Sequence, residues 1–230
     1  MLKISGEALK GGNQFGFEPD SLKELVDNLS KVVNNGIELA LVVGAGNIWR
    51  GKVGKALGMD PVRADYMGML GTVMNSLILK DCFEANGISC KIQTSFPMTP
   101  IGEPFDHEKA IKYLEEGTIV IFAGGTGHPF FTTDTTAALR GLEINAEVIM
   151  KATKVDGIYS DDPILNPDAK RYSKLSYDEA LLKNLKIMDS TAFSLCRDND
   201  IPIIVFNFSN PDNLMQVLQG NTEKATVVSN

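Results

Sequence analysis

Cysteine, histidine and surplus positive charge are all scarce in this chain. Its three cysteines, Cys82, Cys90 and Cys196, form no CxxC pair. That excludes a disulfide framework or a zinc cluster and leaves buried free thiols as the expected state. The two histidines, His107 and His128, have no metal-ligand spacing, and neither a GxSxG elbow nor a Cys–His arrangement occurs. Hydrolysis through an activated nucleophile therefore lacks its parts. Lys plus Arg number 22 against 29 Asp plus Glu, a net charge of −7. This balance argues against a nucleic-acid partner, because such proteins gather cations to neutralise phosphates. No apolar run approaches the roughly 20 residues of a membrane span; the longest runs, such as residues 201–208, are short and polar-flanked. Residues 1–7 reach glycine and acid before a signal-peptide core develops, so a cytoplasmic protein without a membrane partner is expected.

What is present reads as a folded chain: 43% of the 230 residues are apolar and 22% charged, which suits one large domain. Leu22, Leu25, Val26, Leu29, Val32 and Val33 form a helical stripe after Asp20, with Gly36 at the expected C-terminal cap. A strand follows over 37–43. Asp60 and Pro61 open a second helix toward Gly87, a capping residue followed by proline at the first helical position. Strand 88–94, a helix from Asp106 to Gly117, strand 118–123 and helix 133–144 continue the alternation. Residues 147–150 make another strand, 154–167 are turn-rich, and Ser176 with Glu179 forms a capping box. Strand 202–208, helix 211–218 and strand 226–228 close the pattern. Runs such as 118–122 are apolar on both faces, as in buried parallel strands. The fold class is therefore α/β: a mostly parallel sheet with helices on both faces, over residues 1–230 with a subdivision near Ala146.

Three glycine-bearing loops each follow a predicted strand: Ser5-Gly6, Gly44-Ala45-Gly46-Asn47 and Gly124-Gly125-Thr126-Gly127. They would open at one edge of the sheet, where glycine lets backbone N–H groups approach an anion and helix N-termini add positive charge. Tight strand-to-helix turns also use glycine for steric reasons alone. Three in register, with Lys3 and Arg50 beside them, favour a phosphate site. Residues 46–53 nearly spell a P-loop but end in Val53 where a magnesium-binding hydroxyl belongs, so that motif is rejected. In residues 124–134, Thr126, Thr132 and Thr133 offer hydroxyls to a phosphate or base, and Phe130 and Phe131 offer rings to a flat partner or to the core. Asp134 would orient lysines, hold magnesium, or only stabilise the first turn of a helix. Phosphoryl transfer to an acceptor that is already an anion needs no general base, because a phosphate monoester is mostly a dianion above its second pKa of about 6. Cations, N–H donors and positioning suffice.

Five segments together resemble the bacterial uridylate kinases of the amino acid kinase superfamily. They are Lys3-Ile4-Ser5-Gly6-Glu7-Ala8-Leu9, Gly46-Asn47-Ile48-Trp49-Arg50-Gly51, Asp65-Tyr66-Met67-Gly68-Met69-Leu70, Thr126-Gly127-His128-Pro129-Phe130-Phe131-Thr132-Thr133-Asp134, and Lys151-Ala152-Thr153-Lys154-Val155-Asp156-Gly157-Ile158-Tyr159. The resemblance implies the amino acid kinase fold, a three-layer α/β/α sandwich, and transfer from ATP, with Mg2+, to UMP. It assigns Lys3, Ser5, Gly6, Gly46, Arg50, Thr153, Tyr159 and Asp162 to ATP. It assigns Ala45, Asp65, Thr126, Gly127, His128, Pro129, Phe130, Phe131, Thr132 and Thr133 to UMP. Lys3, Arg50 and Asp134 become the catalytic set, with Asp134 the one candidate for metal contact. Residues 1–145 would mainly bind UMP and form oligomers, and 146–230 would mainly bind ATP.

The same resemblance implies a homohexamer with GTP as activator and UTP as inhibitor, and matches Gly11, Gly12, Asn13, Gln14, Phe15 and Gly16 to a GTP-response segment. Met67, Met69 and Met74 would supply either an oligomer face or core filling. Two departures stand out. Ala45 replaces a family glycine where backbone meets nucleotide, weakening UMP binding unless its φ is negative and the methyl points away. Lys3 lies almost at the start of the chain, so the first strand should be short and Lys3 less firmly held. A relative acting on a carboxylate, or a non-catalytic nucleotide or oxyanion binder, are the alternatives; the first needs cations where Phe130 and Phe131 stand.

Overall fold

A computed structural model describes residues 1–185, 187–209 and 212–230. Its strands are β1 (Leu2–Ile4), β2 (Ala40–Val43), β3 (Cys90–Thr94), β4 (Glu103–Pro104), β5 (Ile119–Ala123), β6 (Ile149–Thr153), β7 (Ile158–Tyr159), β8 (Arg171–Tyr172), β9 (Lys174–Ser176), β10 (Ile203–Asn207) and β11 (Ala225–Ser229). The helices are α1 (Pro19–Asn34), α2 (Gly51–Ala56), α3 (Pro61–Ala85), α4 (His107–Glu115), α5 (Thr133–Glu143), α6 (Tyr177–Leu182), α7 (Ser190–Asp198) and α8 (Asp212–Leu218). A 3-10 turn, Gly6–Leu9, follows β1.

Nine strands form one sheet in the order β4-β3-β5-β2-β1-β6-β10-β11-β9. Every pairing is parallel except β10 with β11. The apolar strands explain the layering. In β5, Ile119, Ile121 and Ala123 face the core under α1, α3 and α8, while Val120 and Phe122 face the core under α4, α5 and α7. Alternate residues point to opposite faces, so a strand buried on both sides must be apolar throughout. The expected three-layer sandwich is the observed one.

Capping chemistry sets several boundaries. Asp60 accepts from Arg63 N at 3.1 Å, Asp106 from Lys109 N at 3.1 Å, and the Ser176–Glu179 capping box is present. The first long helix starts before the expected Asp20: Glu18 caps it, accepting from Asp20 N and Ser21 N, with Pro19 at its first position. The strand predicted over 147–150 runs instead over Ile149–Thr153, because it pairs with β1 through Lys151 and with β10 as far as Thr153. Helices α2 and α7 and the short strands β4, β7, β8 and β9 escape periodicity altogether. The predicted helix start at Pro211 lies outside the described residues. Among them, no helix is long and apolar enough to cross a membrane.

Candidate active site

Strands β5, β2, β1 and β6 are neighbours and all parallel. Their carboxyl ends therefore deliver the glycine-bearing loops side by side, at the edge where open α/β sheets bind ligands. The Gly44 N–H donates to Ile4 O at 2.9 Å, carrying the β1–β2 ladder one residue into the turn. Gly6 has no room for a side chain, since a Cβ there would lie 2.3 Å from Gly44 O. The two turns are locked together by that close approach.

At the centre stands Asp134, in the first turn of α5 and 8% exposed. Lys3 Nζ lies 2.8 Å from its Oδ1, and Lys151 Nζ lies 2.7 Å from its Oδ2 and 2.7 Å from Ile187 O. Burial pushes the Asp134 carboxyl up, but the two ammonium groups outweigh it and hold the group below the usual carboxylate range. Asp134 is thus an ionised clamp for two lysines. Both of its oxygens are engaged by ammonium, and no group of three His, Cys, Asp or Glu side chains suited to a metal occurs among the described residues. The donor set does not fit a metal site built by the chain.

Two cavities lie near this triad, one lined by Thr133, the residue before Asp134, and the other by Lys151 itself. One, of about 330 Å³, is lined by Ala45, Trp49, Asp65, Met69, Gly125, Phe131, Thr132 and Thr133 among others. Of the residues expected around UMP, it brings together Ala45, Asp65, Phe131, Thr132 and Thr133. Thr126, Gly127, His128, Pro129 and Phe130 are absent from its wall. Thr126 Oγ1 is bonded within its own turn to His128 N and O, Phe130 is 75% exposed, and Thr132 Oγ1 caps α5 and donates to Asp189. The Thr126 hydroxyl is thus bonded within its own turn, and the Thr132 hydroxyl joins the start of α5 to Asp189. Asp65 Oδ2 accepts from Phe130 N at 2.8 Å, holding Phe130 at φ 69°.

The second cavity, of about 570 Å³, is lined by Lys151, Thr153, Tyr159, Asp162, Lys183 and neighbouring residues. Thr153, Tyr159 and Asp162 share this wall. The Thr153 hydroxyl is turned to Val155 O, and the Tyr159 hydroxyl to Asp156, which raises the tyrosine pKa. Lys3 and Ser5 border a further hollow of about 440 Å³ with Lys151 and Thr153. Gly6, Gly46 and Arg50 line none of the three. Arg50 folds back on Gly46 O at 3.2 Å and pairs with Glu7, whose other oxygen is 3.5 Å from Lys154 Nζ.

Ala45 is not among the residues with positive φ. Its methyl faces Gly71 of α3, where a Cβ would come within 2.9 Å of it. A missing side chain on the helix accommodates the extra one on the loop. Lys3 pairs in register with Val42 on one side and Lys151 on the other, so it is held despite the three-residue strand. Segment 11–16 is tied to the site through Gly16, whose N–H donates to Asn47 O at 2.7 Å and whose carbonyl accepts from Asn47 Nδ2 at 3.1 Å, and Phe15 is 78% exposed. Cys90 and Cys196 are buried with thiols pushed up to about 12 by burial, so they are inert; Cys82 is half-buried.

Sequence reasoning gave no role to Lys151 or Asp189. Lys151 becomes legible only once β6 is known to pair in register with β1. Asp189 caps α7 through Ala192 N at 2.9 Å and accepts from Thr135 Oγ1 at 2.9 Å. It joins two helix starts that are distant in sequence, and nothing local marks it.

The amino acid kinase family model matches residues 1–207. A UMP kinase from Bacillus anthracis is 36% identical, with a TM-score of 0.95 over 99% of this chain and 94% of that one. A UMP kinase from Ureaplasma parvum is 34% identical, with a TM-score of 0.94 over 100% and 97%. A uridylate kinase from Archaeoglobus fulgidus is 26% identical, with a TM-score of 0.76 over 99% of both chains. Matched along nearly its whole length in sequence and in topology, the chain belongs to the amino acid kinase family, in its uridylate kinase branch.

Proposed function

We propose that this chain transfers the γ-phosphoryl group of ATP to the 5′-phosphate of UMP, giving UDP and ADP, as a step of pyrimidine nucleotide synthesis. The supporting observation is the Lys3–Asp134–Lys151 triad, with Lys151 lining one cavity and Thr133, next to Asp134, lining another. The acceptor dianion attacks without a base, and Asp134, ionised and doubly paired, is no proton acceptor. Lys3 and Lys151 offset the charge that builds between the two phosphates. The N–H groups of Ser5, Gly6, Ala45 and Gly46 orient them. Arg50 and Lys154, held on Glu7, are further cations at the mouth. The cavity lined by residues 45–133 takes UMP, with Asp65 on the ribose, and the cavity lined by 151–205 takes the adenosine of ATP. Magnesium would travel on the oxygens of ATP.

The chain would work in the cytoplasm as a homohexamer, activated by GTP through segment 11–16 and inhibited by UTP. One face of α3 supports association: Tyr66, Met67, Leu70, Met74 and Leu77 are 41–51% exposed and recur at helical spacing. Met69, by contrast, is buried and lines the acceptor cavity.

The test is a coupled ADP-release assay of purified protein with Mg-ATP and a panel of UMP, CMP, acetylglutamate and aspartate. UMP alone should support rapid turnover. A carboxylate substrate preferred over UMP, or no turnover with any acceptor, refutes the proposal.

A further inference from the structure

Beneath the phosphate-facing turns lie two carboxamides, Asn47 after β2 and Asn75 in the middle of α3, 1% and 0% exposed. They bond reciprocally: Asn75 Nδ2 donates to Asn47 Oδ1 at 2.8 Å, and Asn47 Nδ2 donates to Asn75 Oδ1 at 3.0 Å. Each gives its other N–H to backbone, Asn75 to Gly44 O at 2.7 Å and Asn47 to Gly16 O at 3.1 Å. All four N–H donors of the pair are used, and each side-chain carbonyl accepts from the other asparagine.

An apolar pair of similar volume would occupy the space without desolvating two amides. Packing alone therefore does not account for them. What carboxamides add is direction: they hold two specific carbonyls at fixed angles. Gly44 O belongs to the turn that continues the β1–β2 ladder, and a Cβ on Gly6 would come within 2.5 Å of Asn47 Oδ1 as well as striking Gly44 O. The amide pair, Gly6 and Gly44 form one knot, anchored on a helix of 25 residues.

Neither asparagine lines the cavities assigned to the two nucleotides. Resting on the kinase reading above, we infer that Asn75, together with Asn47, is a positioning residue for phosphoryl transfer. It acts through Gly44 O to fix the N–H groups of the 44–46 and 5–6 turns where the two phosphates meet. Its effect falls on turnover, because a shift of about 1 Å between reacting groups costs on the order of 100-fold in rate.

Asn75→Asp keeps the shape but removes both donors and turns an oxygen toward Gly44 O. Asn75→Ser keeps at most one donor. In variants whose circular dichroism and melting profile show them folded, kcat should fall by about tenfold to 100-fold, with KM for UMP and for ATP changing by less than about threefold. Leu79→Val, a core change on the same helix, should lower the melting temperature and leave kcat near wild type. An unchanged kcat in folded Asn75 variants overturns the inference. So does a loss of kcat matched by Leu79→Val at equal stability, or failure of both Asn75 variants to fold, which would assign the pair to the core. A wild-type protein inactive toward UMP would instead refute the kinase reading itself.

Discussion

Lys3 stands directly opposite Lys151 across the parallel β1–β6 ladder, and both side chains close on Asp134. Two like charges in adjacent strands at the carboxyl edge of a sheet repel unless an anion sits between them. Asp134 supplies it within the protein, and the phosphates of the substrates would supply it during turnover. Lys3→Ala removes one half of the charge compensation and leaves Lys151 on Asp134. Turnover with UMP should fall by about 100- to 1,000-fold, while the melting temperature moves by a few degrees at most. Near-normal turnover in a folded Lys3→Ala protein removes the assigned role.

The depressed pKa of Asp134 fixes a pH dependence. A carboxyl whose folded pKa lies below its unfolded value of about 3.9 contributes stability that is complete above that value. The contribution is lost as pH falls through the folded pKa. Asp134→Asn strands two largely buried ammonium groups and should lower stability near neutrality by on the order of 3 kcal/mol. In urea unfolding the gap between wild type and Asp134→Asn should stay constant from pH 7 to 5 and narrow below about pH 4. A gap that closes between pH 7 and 5 contradicts the clamp.

The sheet and its helices were legible because each carries its own local signal. The apolar strand Ile119–Ala123, the Asp60 and Asp106 caps and the Ser176–Glu179 box need no distant partner to be recognised. The glycine turns could likewise be placed on one edge once the strands were taken as parallel. What stayed hidden depends on pairing across the fold. Lys151 gains its meaning from register with Lys3, and Asp189 from Thr132 and Thr135, which lie more than 50 residues away. Ala45 read as a defect until Gly71, on another element, proved to make room for it. The bonds of the Thr126 and Thr132 hydroxyls were hidden too: turn, cap and sequence-distant partners hold them, and Thr132 still lines the cavity with Ala45 and Asp65.

Asp65 bonds the Phe130 backbone and is proposed to bind the ribose of UMP, and one pair of substitutions separates the two. Its Oδ2 accepts from Phe130 N and so keeps the 126–131 loop in place with Phe130 in the left-handed region, a conformation costing about 1–3 kcal/mol for a bulky residue. Asp65→Asn retains an oxygen acceptor for that N–H, so the loop persists and the loss falls on the ribose. KM for UMP should rise by about tenfold, the worth of one charge-assisted hydrogen bond, with kcat little changed. Asp65→Ala frees the loop as well and should lower kcat in addition. Identical kinetics for the two variants would show that the loop bond has no part in turnover. An unchanged KM in Asp65→Asn would remove the ribose assignment.

Trp49 offers a direct reading of which cavity takes which nucleotide. It is the only tryptophan in the chain, and its indole N–H donates to Ala64 O at 2.8 Å. The ring lies against Gly54 and near Gly68, where a Cβ would come within 3.1 Å and 3.8 Å of it. Those contacts fix the indole in the wall of the cavity shared with Ala45 and Asp65, and it lines neither hollow on the Thr153 side. A nucleotide entering the first cavity displaces water beside the ring and changes its emission, whereas one entering the others leaves the ring's surroundings as they were. Titration with UMP should therefore give a saturable change in fluorescence, lost in parallel with affinity in Asp65→Asn, while ATP alone gives little. A large response to ATP with none to UMP would reverse the assignment of the two cavities, and would do so without any turnover being measured.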